Sequence, residues 1–168
     1  ALLFLCITLG FSCSKSTDDN GGGGNKYYVK FQADGEKREY SGVAVMSFTQ
    51  QPDYVLYQLS GLKSSTEIIG MSMTITTDKV IQPPASFTTE PWQSSSGVSR
   101  ISLLLGIHDE DKLTYVSFVA GAQNYPATAT ITELTNDHIK GNFSGKVTNS
   151  SFTKSIDITN GEFYLKRQ

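Results

Sequence analysis

The densest group of chemically reactive side chains in this sequence is the run His108-Asp109-Glu110-Asp111. A histidine beside carboxylates can bind a divalent cation or act as a general base. However, adjacent residues at a strand end point in diverging directions, and the alternating acidic spacing of a calcium loop is missing. We interpret the run as a solvated hairpin tip, and His108, Asp109 and Asp111 are kept only as secondary candidates for metal ligands.

Signatures of covalent or acid–base catalysis are missing from the sequence. His138 lies beside Asp137 in a second expected turn, but nothing in the spacing brings it towards His108. Gly-x-Ser-x-Gly and His-Glu-x-x-His motifs do not occur, and no cysteine follows Cys13. A glycosidase needs two facing carboxylates, and the scattered acidic residues indicate no such pair. We therefore expect neither enzymatic activity nor a cofactor.

The best candidate for ligand binding is the segment 82–99, which contains three prolines and no apolar period. This pattern predicts a long loop, and loops of that length in compact domains are usually functional or mobile. Trp92, with Phe87 and Gln93, offers a flat apolar surface and a polar handle for a sugar ring or a peptide. The alternative is that Trp92 folds back and plugs the open end of the domain, because large aromatic side chains are mostly buried.

These candidates must be positioned by strands, because apolar and polar residues alternate along most of the chain. The clearest segment has Ile69, Met71, Met73 and Ile75 on one face. Turn residues separate such segments, and Asp34-Gly35 predicts a type I′ hairpin. We expect one return strand from Tyr40 to Phe48 with a bulge at Gly42. Asn160-Gly161 predicts either another hairpin turn or a bulge.

About ten short strands without a helix-period segment predict an all-β fold, with residues 26–168 as one domain. We favour an antiparallel β-sandwich. A meander β-barrel of the lipocalin type is the alternative, because both architectures bury one face of each strand.

Two hexapeptides share the pattern Gly-x-Phe-x-x-Lys: residues 141–146 and residues 161–166. The similarity is too short for a repeat architecture. We interpret it as two sheet strands in which phenylalanine points inward beside a glycine.

The charge distribution excludes some partners. The net charge is −2, and lysine and arginine are scattered singly, so nucleic acid is not an expected partner. Cys6 and Cys13 are the two cysteines, so the region after them has no thiol for a disulfide or zinc site. Stability must come from apolar burial, which a domain of this size achieves without such links.

The N-terminal residues 1–12 have the properties of a secretion signal. They are apolar and uncharged, and the run is shorter than the roughly 20 residues that span a membrane. Because neither Met nor a basic segment precedes Ala1, we expect the signal to be truncated at its start. Ser12-Cys13 resembles the lipobox of a bacterial lipoprotein signal, which implies that Cys13 is lipidated. The alternative is an ordinary signal cleaved elsewhere. Residues 13–25, rich in Gly, Ser and Asp, then form a flexible tether.

The lipobox, with Ser14 after the cysteine, resembles those of Bacteroidota outer-membrane lipoproteins. Residues 29–36 and the last forty or so residues also resemble a family of small, β-rich Bacteroidota lipoproteins with no assigned activity. The resemblance implies an outer-membrane lipoprotein that faces the periplasm or the cell surface. It implies no functional residues.

Two functions are consistent with these features. The first is a lipid-anchored, extracytoplasmic binding or interaction module without catalytic activity, whose ligand is a glycan or a partner protein. The second is a purely structural accessory lipoprotein of an envelope complex. In both, the N-terminal lipid makes the membrane a partner.

Overall fold

A computed structural model describes residues 26–63, 69–89, 100–106, 115–116 and 125–168. These residues form β-strands and turns, which confirms the all-β prediction. No helix among them is long and apolar enough to span a membrane. The described strands are β1 (Tyr28–Ala33), β2 (Glu36–Tyr40), β3 (Val43–Gln50), β4 (Val55–Leu62), β5 (Gly70–Thr77), β6 (Ala85–Thr88), β7 (Arg100–Gly106), β8 (Tyr115–Val116), β9 (Ala127–Leu134), β10 (His138–Thr148) and β11 (Ser155–Arg167).

All eleven described strands belong to one hydrogen-bonded sheet in the order β2-β1-β11-β3-β4-β5-β7-β8-β10-β9-β6. Strand β11 also pairs with β10, so the sheet curls into a nearly closed, barrel-like structure. The pairing of β11 with β3 is parallel, through Lys166 with Val45 and Arg167 with Met46. The other pairings are antiparallel. A single, nearly closed sheet of this kind is compatible with both the sandwich and the barrel that the alternation allowed.

The core fills the interior of this sheet, and it is built by the predicted alternation. In β5, Met71, Met73 and Ile75 are buried, whereas Ser72 and Thr74 between them are partly exposed. The same inward alternation supplies the largest fully buried side chains, which include Met46, Tyr57, Leu59, Ile101, Leu103, Leu105, Ile131, Ile139, Ile158 and Leu165. Burial of this apolar surface is the main source of stability in a domain without disulfides.

The first hairpin has the predicted turn. Asp34 and Gly35 have φ values of 50° and 87°, the positive pair that a type I′ turn requires. Asp34 also holds the turn against β11, because its carboxylate accepts a hydrogen bond from the Asp157 backbone N–H at 2.8 Å.

The expected single return strand is two strands in the structure. β2 ends at Tyr40 and pairs with β1, whereas β3 begins at Val43 and pairs with β4 and β11. A Cβ on Gly42 would collide with the Lys63 carbonyl, so the glycine permits a close backbone approach at this crossing. Alternation alone did not reveal the crossing, because both strands continue the same inward and outward pattern.

Asn160-Gly161 is a bulge inside one long strand, β11, and not a hairpin turn. The pairing register of β11 with β1 shifts between Lys30 and Gln32. Its register with β10 shifts between Phe143 and Gly145. Asn160 has a φ of 51°, a left-handed conformation that asparagine tolerates better than most residues. The extra residue bends the strand and increases its twist.

The segment 82–99 was expected to be a loop without strands, but Ala85–Thr88 forms β6. β6 pairs with β9, whose partner residues lie 40 or more positions away along the chain. Four residues are too few to show a period, so this edge strand depends on its distant partner.

Candidate functional site

The structure describes one of the residues singled out for ligand binding, metal binding or lipidation. Phe87 is a core residue, with only 6% of its surface exposed. Its ring points inward from β6 and is not presented to a ligand, which corrects the expected binding role for this side chain. The other candidates, Cys13, Trp92, Gln93, His108, Asp109 and Asp111, lie outside the described residues.

A continuous polar surface lies on the outer side of six adjacent strands, and we name it the polar face. It comprises the outward side chains of β2, β1, β11, β10, β9 and β6. Direct cross-strand pairing places one residue from each strand in a central row: Glu39, Lys30, Glu162, Asn142, Thr130 and Ser86. This row contains no apolar side chain. Successive residues of a strand point to opposite faces, and the apolar residues next to the row point into the core.

The Asn160 bulge shapes the middle of the polar face. If the alternation set by the buried Ile156 and Ile158 continued without a bulge, Asn160 would point inward and Gly161 outward. The extra residue places Thr159 and Asn160 outward in succession, while Gly161 turns inward towards Phe143. As a result, Asn160 lies near Glu162 on the outer surface, in the strand at the centre of the face.

Two hollows adjoin at this bulge and share Asn160 and Glu162. The first has a volume of about 340 Å³, and we name it the threonine hollow. It lies across β9, β10 and β11, and its polar side chains are Thr128, Thr130, Asn142, Ser144, Asn160 and Glu162. The second has a volume of about 300 Å³, and we name it the lysine hollow. It lies across β1, β2 and β11, and the polar side chains it adds are Lys30, Gln32, Lys37, Arg38 and Glu39.

Most side chains around the hollows bond to a neighbour across the sheet. Hydroxyl pairs join Thr128 to Ser144 at 2.9 Å and Thr130 to Ser86 at 3.0 Å. In the lysine hollow, Asn160 donates its amide N–H to Gln32 Oε1 at 3.0 Å. Lys30 Nζ lies 3.6 Å from Glu39 Oε1. These cross-strand pairs hold the walls of both hollows in position.

A charged and aromatic cluster borders the polar face where β10 begins and β11 ends. Glu133 accepts hydrogen bonds from Lys140 Nζ at 2.8 Å and from His138 Nε2 at 2.5 Å. The bonds from Lys140 and then from His138 hold the pKa of Glu133 below its ordinary value. In return, Glu133 raises the pKa of Lys140. Hydrogen bonds from Lys140 and His138 stabilise the charged form of the carboxylate, and the carboxylate does the same for the ammonium group of Lys140.

Tyr164 connects this cluster to the polar face, but its ring is already covered. The ammonium groups of Lys140 and Lys26 lie 4.9 and 5.3 Å from its ring centroid. His138 and Tyr27 each approach to 5.0 Å between centroids. With cations and rings at these distances, Tyr164 offers little ring surface for stacking against a ligand.

The chemistry available on the polar face is hydrogen bonding. Its side chains are hydroxyls, amides, carboxylates and ammonium groups, and the described part of the chain has no group of three or more His, Cys, Asp or Glu able to hold a metal ion. Such a surface can bind and orient a polar ligand, and it has no thiol nucleophile.

Sequence reasoning did not identify Asn142, Asn160 or Glu162 as candidate site residues. A signal was present, because Asn142 and Glu162 are the middle residues of the two Gly-x-Phe motifs. Each motif turns its phenylalanine inward, so the middle residue must point outward. The register that places the two motifs side by side is visible only in the folded sheet. Comparison of this chain with protein-family models, with curated proteins and with solved structures finds no match.

Proposed function

We propose that this chain is a lipid-anchored, extracytoplasmic binding module without catalytic activity, which holds a glycan or a partner protein on its polar face. The observation that carries the proposal is the pair of adjoining hollows, about 340 and 300 Å³, that share Asn160 and Glu162. Concave surfaces with a few convergent polar groups are the usual form of a ligand site.

The construction of the polar face supports a binding role. Cross-strand bonds hold the hydroxyl and amide side chains before any ligand arrives, so little side-chain entropy is lost on binding. The site is also built on strands, which position side chains more accurately than loops.

The proposed location rests on the N-terminal sequence. Residues 1–12 as a signal, Cys13 as the lipidated residue and 13–25 as a tether would hold the domain at the outer membrane, facing the periplasm or the cell surface. The resemblance to Bacteroidota lipoproteins supports this location. A partner on the polar face would then be an envelope protein or a glycan near that membrane.

A thermal-shift screen of the full chain in mild detergent tests the binding role, with glycans, peptides and divalent cations as probes. A ligand at one hundred times its Kd stabilises the folded state by about 2.7 kcal/mol, which raises Tm by several degrees. We expect Ser144→Arg, which fills the threonine hollow, to abolish the shift. Thr74→Arg places the same side chain on the outer side of β5, and it should retain the shift.

A blank screen would contradict the binding role and favour the structural accessory role. A shift that is equal in the wild type and the Ser144→Arg variant would place the ligand elsewhere on the chain. In that case Trp92→Ala, in the segment first considered for binding, is the next variant to measure.

A further inference from the structure

The two Gly-x-Phe motifs lie side by side in the sheet. Gly141 is directly opposite Phe163, Asn142 is opposite Glu162, and Phe143 is opposite Gly161. The phenylalanines are buried, and both middle residues are exposed on the polar face. Directly opposed residues in an antiparallel pair have Cβ atoms about 5 Å apart. The side-chain amide of Asn142 and the carboxylate of Glu162 therefore form one adjacent pair in the threonine hollow.

This pair differs from its surroundings in its hydrogen bonding. On either side in the central row, Thr130 bonds to Ser86 and Lys30 pairs with Glu39. By contrast, neither the Asn142 amide nor the Glu162 carboxylate bonds or pairs with another side chain of the described residues. The hydrogen-bonding capacity of these two groups is available to a ligand, while that of their neighbours is used to build the hollow.

The combination of an amide and a carboxylate defines what the pair can bind. Asn142 offers two N–H donors and one acceptor oxygen, and Glu162 offers two acceptor oxygens. Adjacent hydroxyl groups both donate and accept, so they can bond to the two side chains at once. When one hydroxyl of a vicinal diol bonds to Asn142 and the other bonds to Glu162, the donors and acceptors of both side chains are satisfied together.

The charge around the pair disfavours charged ligands. Glu162 repels an anion, and the cationic Lys30, Lys37 and Arg38 of the lysine hollow oppose a cation. A neutral polyol experiences neither penalty. We infer that Asn142 and Glu162 form a hydrogen-bonding pair that binds the vicinal hydroxyls of a neutral sugar residue in the threonine hollow. This inference rests on the proposed binding function and names its ligand class.

The test uses the full chain, purified in mild detergent and applied to an array of neutral and acidic oligosaccharides. We expect neutral oligosaccharides with free vicinal hydroxyls to bind. Asn142→Ala and Glu162→Gln should each weaken that binding at least about tenfold, because the first removes the amide bonds and the second replaces a charged acceptor with a weaker neutral one. A deoxy derivative that lacks one of the two hydroxyls should lose a similar factor with the wild-type chain.

Asp157→Asn is the matched control for Glu162→Gln. Asp157 is an outward, exposed carboxylate on the same strand, and it pairs with Lys146 at 3.3 Å outside the hollow. This variant should bind sugar as the wild type does. Because all three substituted side chains are exposed, each variant should keep a Tm close to that of the wild type.

Three results would overturn the inference, and they differ in what they mean for the proposed function. Unchanged sugar binding in both Asn142→Ala and Glu162→Gln would remove the pair from the site. Binding of peptides or cations alone, abolished by Ser144→Arg, would reject the sugar and keep the binding function. The absence of any ligand in both the array and the thermal-shift screen would overturn both proposals.

Discussion

Phe143 of β10 lies directly opposite Gly161 of β11, and its ring occupies the space that a side chain on Gly161 would need. A Cβ at Gly161 would collide with the Phe143 carbonyl oxygen and would lie 2.6 Å from Cδ1 of that ring, closer than real contacts allow. The same relationship joins Phe163 to Gly141, and the two phenylalanine rings are 6.3 Å apart. Each glycine therefore makes room for the phenylalanine of the other motif, and the motifs pack as a reciprocal pair.

Gly161→Ala should destabilise the fold by about 1–3 kcal/mol, because the new methyl group overpacks the core against Phe143. Urea denaturation of the wild type and the variant measures this difference. Phe143→Leu removes the ring contact but keeps the carbonyl contact, so it should reduce the cost in part, and the double variant should be more stable than the sum of the two single changes predicts. Equal stability of Gly161→Ala and the wild type would contradict the predicted clash, because it would mean that β10 and β11 can move apart here at no cost.

Tyr57→Phe should cost about 1–3 kcal/mol, although it removes a single oxygen atom. The Tyr57 hydroxyl accepts a hydrogen bond from the Ile81 backbone N–H at 3.0 Å, and both residues are buried. Without the hydroxyl, a buried donor is left unpaired. Tyr54→Phe is the control, because Tyr54 is 39% exposed and its change should stay within about 0.5 kcal/mol. Similar urea midpoints for the two variants would argue against this hydrogen bond.

Stability at acidic pH should depend on Glu133. Its pKa in the folded chain lies below the ordinary value of 4.5, because Lys140 and His138 bond to its charged form. This contribution to stability is present above the ordinary pKa and is lost as the pH falls through the lower, folded value. The free energy of unfolding of the wild type should therefore fall more steeply below about pH 4.5 than that of Glu133→Gln.

Urea denaturation at a series of pH values provides this comparison. Lys140→Gln removes the larger cause of the shift, so its acid dependence should lie between those of the wild type and Glu133→Gln. Parallel curves of unfolding free energy against pH for all three proteins would show that the side-chain bonds of Glu133 do not contribute to stability.

Cys13→Ala should release the chain from the membrane fraction, because the thiol that we propose to be lipidated is lost. Fractionation of cells followed by detection of the chain measures the change. The other cysteine provides a matched control, since Cys6 lies in the expected signal and Cys6→Ala should remain membrane-bound. Retention of Cys13→Ala in the membrane fraction would exclude Cys13 as the anchor.

Local patterns in the sequence were sufficient for the all-β fold, for the inward and outward alternation of β5 and for the first hairpin turn. Alternation identified the buried residues of β5, and Asp34-Gly35 correctly predicted the first turn. Prediction was less successful where a distant partner decides the structure. β6 is too short to recognise, and the separation of β2 from β3 depends on different neighbouring strands.

The sequence by itself determined which side chains point inward and which point outward, because backbone geometry turns alternate residues of a strand to opposite faces. It therefore placed both phenylalanines of the Gly-x-Phe motifs in the core and left Asn142 and Glu162 outside. Only the tertiary structure decided that these two residues, twenty positions apart, would be neighbours. Strand register depends on turns, on the Asn160 bulge and on the fit of each ring over the opposite glycine, and these act between segments that are distant in sequence.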